Sequence, residues 1–247
     1  MHRSPLGPPS GGKAPLIYAH RGDRSRAADN TLEAFALSVE AGADGIECDV
    51  RRTADGVLIM SHDPTHGDLP PLCDLTFAEL RDAAPEVPTL AETLEGVPSR
   101  VYLNVEIKNV PNQPDFDPTR SIVTEALDLI ASADDPGRVV LSSFDPDSVR
   151  AAGGHGRLVR GLLIAGGVPM DTAISMARDL GVEALHPPMS SIAGDPGAIV
   201  DLIHSAGLAV VVWNANTASE IEAATAAGVD VIITDDPGLG RSIVGSR

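Results

Sequence analysis

Gly45-Ile46-Glu47-Cys48-Asp49-Val50-Arg51-Arg52-Thr53-Ala54-Asp55-Gly56-Val57-Leu58-Ile59-Met60 is the stretch on which the fold turns. It holds two strand-like runs, at 45–49 and 57–60, with only Val50 to Gly56 between them. A parallel crossover needs about a dozen residues. The second run must therefore return antiparallel, as a hairpin turning near Ala54-Asp55-Gly56. With the turn centred between Ala54 and Asp55, position 47 faces position 62.

Outward from the hairpin, short apolar runs alternate with Ala-rich amphipathic stretches. Strands are expected at 16–19, 101–107, 139–142, 159–164, 182–185, 209–213 and 230–234 as well. Helices are expected at 31–41, 90–94, 119–131, 146–152, 170–180, 196–206 and 218–227. Gly42, Gly181, Gly207 and Gly228 each follow a helical run, where a left-handed residue ends a helix well. Alternation of this kind implies a parallel sheet covered by helices. Setting the hairpin strand aside leaves eight parallel strands. The expected fold is a TIM-type (β/α)₈ barrel with one extra antiparallel strand after the second barrel strand; a doubly wound open sheet is the competitor. The length of 247 residues suits one such barrel of roughly 250. We expect a disordered leader at 1–14 and a single barrel domain at 15–247.

The net charge of −17 makes nucleic acid and anionic lipid surfaces poor partners. Two cysteines form no disulfide framework. No apolar run reaches the roughly 18 residues of a membrane span. No secretory h-region is visible at the start, so a cytoplasmic location without stable membrane association is expected.

Successive strand residues point to opposite faces. Ile46, Cys48 and Val50 suit the helix layer, which leaves Glu47 and Asp49 pointing into the barrel. The plainer reading is a polar surface face, and the pair alone does not decide between them. The run Val101-Tyr102-Leu103-Asn104-Val105-Glu106-Ile107-Lys108 repeats the arrangement: the odd positions are apolar, while Tyr102, Asn104, Glu106 and Lys108 share the other face. An internal Glu106–Lys108 ion pair is the plainer reading there. Two strands that deliver carboxylates to one rim favour the inward reading, because inward carboxylates need a neutralising cation.

Barrel active sites lie at the C-terminal ends of the strands. Glu47, Asp49 and Glu106, with no sulfur among them, suit one hard divalent cation, Mg²⁺ or Ca²⁺, with Mn²⁺ also fitting. Such an ion would stabilise charge on a phosphoryl oxygen. His20 and Arg21 end the first strand, and the hairpin returns His62 beside the carboxylates. Arg forks onto phosphate oxygens; His20 and His62 form a pair that can take and give protons. Of the other histidines, His2 lies in the leader, and His66, His155 and His204 read as solvated. His186 follows a strand and could reach the rim. Trp213 reads either as packing at the barrel mouth or as an apolar wall for substrate carbons. Asp235 and Asp236 follow a strand, where a helix N-cap or loop role is at least as good a reading.

These residues resemble the glycerophosphodiester phosphodiesterase family. The resemblance runs from Ala19-His20-Arg21-Gly22 through Asn30-Thr31-Leu32-Glu33-Ala34-Phe35, Gly42-Ala43-Asp44-Gly45-Ile46-Glu47-Cys48-Asp49-Val50, Thr53-Ala54-Asp55-Gly56 and His62-Asp63. It resumes at Glu106-Ile107-Lys108, Ser143-Phe144, Trp213-Asn214-Ala215-Asn216, Gly228-Val229-Asp230 and Thr234-Asp235. The resemblance implies a barrel that cleaves small-molecule glycerophosphodiesters to glycerol 3-phosphate and an alcohol. It implies that Glu47, Asp49 and Glu106 are metal ligands, that His20 and His62 are the acid–base pair, and that Arg21 and Lys108 hold the phosphate. A glycerol hydroxyl is expected to attack, giving a cyclic phosphate that water opens.

Three features depart from the family pattern. Ala28-Asp29 stands where Pro-Glu is usual, so the shorter Asp29 is expected to lose its contact or remake it through water. The cap segment, 64–88, is short. Asn214 follows Trp213 where Thr is common. Two other functions fit the same residues: a lysophospholipase D-like phosphodiesterase, and a non-catalytic phosphate-ester binding protein. The second would have lost a metal ligand or a histidine, and none is missing.

Overall fold

The computed structural model describes residues 4–7, 14–154 and 158–245. Its strands are β1 (Leu16–His20), β2 (Gly45–Arg52), β3 (Leu58–Met60), β4 (Tyr102–Ile107), β5 (Val139–Ser143), β6 (Val159–Leu163), β7 (Ala184–His186), β8 (Ala209–Val212) and β9 (Val231–Thr234). Eight of them pair in parallel in the cyclic order β1-β2-β4-β5-β6-β7-β8-β9 and back to β1, which closes the barrel. β3 pairs antiparallel with β2 alone. The expected (β/α)₈ barrel with one added hairpin strand is what forms.

The hairpin register differs from expectation by one residue. Val50 pairs with Met60, Arg51 with Ile59 and Arg52 with Leu58. The cause is the turn. Thr53 N–H donates to the Val57 carbonyl at 3.0 Å, so three residues, not two, make the loop. Gly56 takes the left-handed place there with φ 86°, as three-residue hairpins ask of their last residue.

The two edges of β2 explain how the hairpin builds a site. β4 covers one edge from Gly45 to Val50. On the other edge β1 pairs only as far as His20 with Glu47. Beyond it Arg21 N–H reaches the Glu47 carbonyl at 2.8 Å, Ser61 N–H reaches that of Asp49 at 3.0 Å, and β3 follows. The segments carrying His20 and His62 therefore meet end to end along one strand.

The outer face packs as strand parity dictates. Ile46, Cys48, Val50, Leu103, Val105 and Ile107 share a buried cluster with Phe35 of α1 (Leu32–Glu40), with Leu90 and Leu94 of α3 (Leu90–Gly96), and with α4 (Ser121–Ser132). A second cluster seats α6 (Met170–Leu180), α8 (Pro196–Ser205) and α9 (Ala218–Ala227) on the later strands. Each fully buried Leu, Ile or Val contributes about 1.5–3 kcal/mol relative to exposure. Inside the barrel Leu16, Tyr18, Val140, Ala184, Val211, Val231 and Ile233 pack on one another beneath the rim. Gly42, Gly181, Gly207 and Gly228 all take left-handed φ, as their places after helices require.

Three helices depart from the sequence reading. α2 (Phe77–Ala83) forms within the cap segment, started by a capping box between Thr76 and Glu79. It rests with Leu72, Leu80 and Val87 on Ile59 of β3, so the short cap has a small core of its own. α7 is the single turn Met189–Ile192, too short to show a period. α10 (Pro237–Val244) contains two glycines, poor helix formers. Asp236 caps it, Pro237 starts it, and a Cβ on Gly240 would stand 3.0 Å from Ile17, so tight packing on β1 replaces propensity. α5 (Pro146–Ala151) is as expected. In the expected disordered leader, residues 4–7 make a turn: Leu6 is buried under the barrel and the Tyr18 hydroxyl donates to the Pro5 carbonyl at 2.5 Å. Residues 1–3 and 8–13 of that leader, and with them His2, lie outside the described residues, as does His155. Among the described residues no helix is long and apolar enough to cross a membrane.

Candidate active site

The C-terminal rim of the barrel gathers the carboxylates, histidines and cations read from the sequence, together with Trp213, but not His186. Asp49 pairs in register with Glu106 on β4, and Glu47 with both His20 and Asn104. One oxygen from each of Glu47, Asp49 and Glu106 lies within 4.8 Å of the others, and all three side chains are buried. His20, Arg21, His62, Lys108 and Trp213 line the same small cleft. A larger crevice of about 460 Å³ lies elsewhere, between α3 and α4, but brings no comparable set together.

Three buried carboxylates face two cations. Lys108 Nζ lies 2.7 Å from Glu106 and 3.3 Å from Asp49; Arg21 Nε lies 3.1 Å from Asp49. The Glu106–Lys108 ion pair is thus present, but within a larger group. Burial would raise the Asp49 carboxyl, yet Lys108 and Arg21 outweigh it and hold Asp49 low. Glu47 goes the other way: burial, then the charges of Asp49 and Glu106, push it well above the carboxylate range. Burial also lifts Glu106 to about 7, against the pull of Lys108. The set is short of positive charge, and its donors are all oxygen. It fits a hard divalent cation.

The two histidines are held differently. His20 Nδ1 lies 2.6 Å from Asp235 Oδ1. A carboxylate only accepts, so Nδ1 carries the proton and Nε2 faces the cleft, 4.0 Å from Glu47. Asp235 is itself held by Arg24 at 2.9 Å and Asn216 at 2.8 Å. Its carboxyl is brought to about 2: burial opposes this, but His20 and Arg24 prevail. Asn214 also donates its side-chain amide to Asp235 Oδ1, at 3.3 Å. His62 Nδ1 meets Asp63 at 2.8 Å. Burial, then the Lys108 charge, lowers His62; burial also lowers His20, against Asp235. Both rings are therefore biased toward the neutral form, which can accept a proton.

Arg21 adopts left-handed backbone with φ 57°. Gly22 follows at φ 90°, and a Cβ there would stand 2.6 Å from that of Ala34. Close packing of the His20–Gly22 corner on α1 is what this glycine permits. Asp29 makes a direct contact, 3.0 Å from Arg21 Nη1.

Several partners escape sequence reading. Asn30 offers its amide nitrogen to Asp49 Oδ2 at 2.9 Å and its oxygen to Asp49 N–H at 3.1 Å. Asp235 sits at a strand end like the other rim residues, and that placement was the available signal. Of the two aspartates, Asp236 takes the N-cap role, accepting from Leu239 N–H at 2.8 Å. Phe144 meets Trp213 edge to face, with centroids 5.6 Å apart. Trp213 both packs at the mouth and lines the cleft. His186 does not reach the rim. It is fully buried, its ring fills the space over Gly161, and burial lowers it to about 3.

A sequence model described as the Glycerophosphoryl diester phosphodiesterase family matches residues 20–239. A glycerophosphodiester phosphodiesterase of Caldanaerobacter subterraneus subsp. tengcongensis is 31% identical over 90% of this chain and 94% of its own. The crystal structure of a Thermotoga maritima glycerophosphodiester phosphodiesterase superimposes with a TM-score of 0.80 at 25% identity, covering 94% of this chain and all of that one (100%). An Oleispira antarctica phosphodiesterase, solved with its product sn-glycerol-3-phosphate, gives a TM-score of 0.80 at 23% identity over 94% of this chain and 98% of that chain.

Proposed function

We propose how this chain, which belongs to the Glycerophosphoryl diester phosphodiesterase family and is a glycerophosphodiester phosphodiesterase, cleaves its substrate. The substrate is a small glycerophosphodiester, and the products are glycerol 3-phosphate and an alcohol. The observation that carries the reading is one cleft shared by a three-carboxylate cluster, two histidines and two cations. The product seen with the Oleispira protein agrees with this substrate class.

Glu47, Asp49 and Glu106 would hold one divalent cation, Mg²⁺, Ca²⁺ or Mn²⁺. When bound, that ion supplies Lewis acidity and offsets charge at a phosphoryl oxygen. Arg21 and Lys108 draw the phosphodiester into the cleft and orient it through charge-assisted hydrogen bonds. One of the pair His20 and His62 takes the proton of the attacking hydroxyl. A P–O bond to that oxygen forms, and the P–O bond to the alcohol breaks. The other histidine, entering the step in its protonated form, gives a proton to the departing alcohol oxygen, so atoms and charge balance. The glycerol hydroxyl next to the phosphate is the attacking group; water then opens the cyclic phosphate with the histidine roles exchanged, one taking the water proton as the new P–O bond forms and the other giving its proton to the glycerol oxygen as the ring P–O bond breaks. Trp213 forms an apolar wall against the glycerol carbons.

The test is direct. Purified protein is incubated with glycerophosphocholine, glycerophosphoethanolamine or lysophosphatidylcholine, each with Mg²⁺, Ca²⁺, Mn²⁺ or a chelator. Glycerol 3-phosphate that appears only with metal supports the reading. Turnover of the lysolipid alone would replace it with a lysophospholipase D activity, and phosphate-ester binding without turnover in any metal would refute both. Lys108→Ala is expected to raise KM about tenfold or more, as removal of a charged hydrogen bond worth roughly 1.5–3 kcal/mol should; steady-state kinetics with glycerophosphocholine check this.

A further inference from the structure

Arg51 stands two residues beyond Asp49 on β2 and is 1% exposed. Burying a guanidinium is costly unless hydrogen bonds compensate, and an apolar side chain of similar volume is often as stable. The four contacts of Arg51 are specific. Nε and Nη2 both donate to the main-chain carbonyl of His62, at 2.9 and 2.6 Å. Nη2 also donates to Gln113 at 2.8 Å, and Nη1 to the Asp115 carboxylate. Gln113 and Asp115 lie in the loop between β4 and α4. That loop is tied down in turn, since Asn109 accepts from Asp117 N–H at 2.8 Å and donates to Asp145 at 3.0 Å.

His62 needs such a brace more than His20 does. The His20 side chain is 14% exposed and is held at Nδ1 by Asp235. The His62 side chain is 36% exposed, and its ring is held by Asp63, whose side chain is 73% exposed. An exposed ion pair of that kind fixes little. The place of the His62 ring therefore rests on its backbone. That backbone is gripped before the ring by Ser61 N–H on Asp49 at 3.0 Å, and at the ring's own carbonyl by Arg51.

We propose that Arg51 is a positioning residue for His62: its buried guanidinium clamps the His62 carbonyl between β2 and the β4–α4 loop, and so sets where the imidazole meets the substrate. This rests on the reading of His62 as one of the acid–base pair. A displacement of about 1 Å in a reacting group costs up to roughly 100-fold in rate. The clamp touches no residue assigned to the metal or the phosphate. Its loss should therefore appear in kcat and not in KM or metal affinity.

The experiment compares Arg51→Met, Arg51→Lys, Gln113→Ala and His62→Ala with the parent protein. Glycerophosphocholine turnover, Mn²⁺ binding, melting temperature and the ¹⁵N signals of the histidine rings are measured. Arg51→Met is expected to lower kcat about 10- to 100-fold, with KM and Mn²⁺ affinity within about twofold, and to move the His62 ring signals while those of His204 stay. Arg51→Lys, which still offers a donor to the carbonyl, should recover part of the rate. Gln113→Ala should lose less, in the same direction. A folded Arg51→Met with parental kcat overturns the proposal, as does loss of Mn²⁺ affinity in step with kcat. Where Arg51→Met fails to fold, parental kcat and unmoved His62 signals in both Arg51→Lys and Gln113→Ala overturn it. Parental turnover in His62→Ala would instead sink the acid–base reading itself, whatever Arg51 does.

Discussion

Asp235 illustrates how a residue gains a role from its neighbours. By sequence it is one of two aspartates after a strand, both suited to capping a helix. In the fold it holds the His20 ring at 2.6 Å and fixes which nitrogen faces the cleft. Asp235→Ala should therefore lower kcat by at least about tenfold, because general acid–base catalysis is worth roughly 10²–10⁴ and depends on ring orientation; single-turnover kinetics would show it. The carboxylates and histidines should separate cleanly. Glu47→Ala is expected to lose activity and metal affinity together, while His62→Ala loses activity and still binds metal, as calorimetric titration with Mn²⁺ would read. The eight candidate residues could be picked out because strand parity, the hairpin and rim position mark them. Asn30, Asp235 and Arg51 were not, because each acts on a side chain or carbonyl distant in the chain, and no local period records such a contact.

Two corners of the barrel share a left-handed glycine but differ in what surrounds it. Gly56 closes the β2–β3 hairpin at φ 86° with open space around it. Gly22 follows His20-Arg21 at φ 90° and is pressed against Ala34. Gly56→Ala should cost only the backbone term of about 1–2 kcal/mol. Gly22→Ala should cost more and should also lower activity, since the corner carrying His20 must move. Denaturant unfolding and turnover of the two variants, measured side by side, test the contrast; equal losses would argue against it. The hairpin also shows the limit of reading an element from its sequence. That the strand must return was clear from a link too short for a crossover. The one-residue offset was not, because two- and three-residue turns are both compatible with Ala54-Asp55-Gly56, and hydrogen bonding across the strands selects between them.

On the scale of the molecule, the barrel stores unfavourable charge at one end. Glu47 and Glu106 have carboxyl groups raised by burial, above their unfolded values, the latter to about 7. A carboxyl raised on folding favours the folded state while it keeps its proton. Without metal, stability should therefore fall as the pH rises from the unfolded carboxylate range near 4.3 through about 7. Thermal melting of chelated protein at pH 5 and pH 8 is expected to give the lower transition at pH 8, and added divalent cation should raise it most there. A transition independent of both pH and metal would contradict the reading of the cluster.

The architecture was available from the amino-acid order because it rests on local chemistry. Alternating apolar runs set the strands, glycines ended the helices, and a seven-residue link forced one strand back, leaving eight for the barrel. The candidate ligands followed from parity along β2 and β4. Tertiary structure alone decided the hairpin register, the helix built on Pro237 and two glycines, the burial of His186 and the direct Asp29–Arg21 contact. It alone showed His62 leaning on a buried arginine two residues past Asp49. Each of these depends on which groups meet once the barrel closes, and closure brings together residues that the order of the chain keeps far apart.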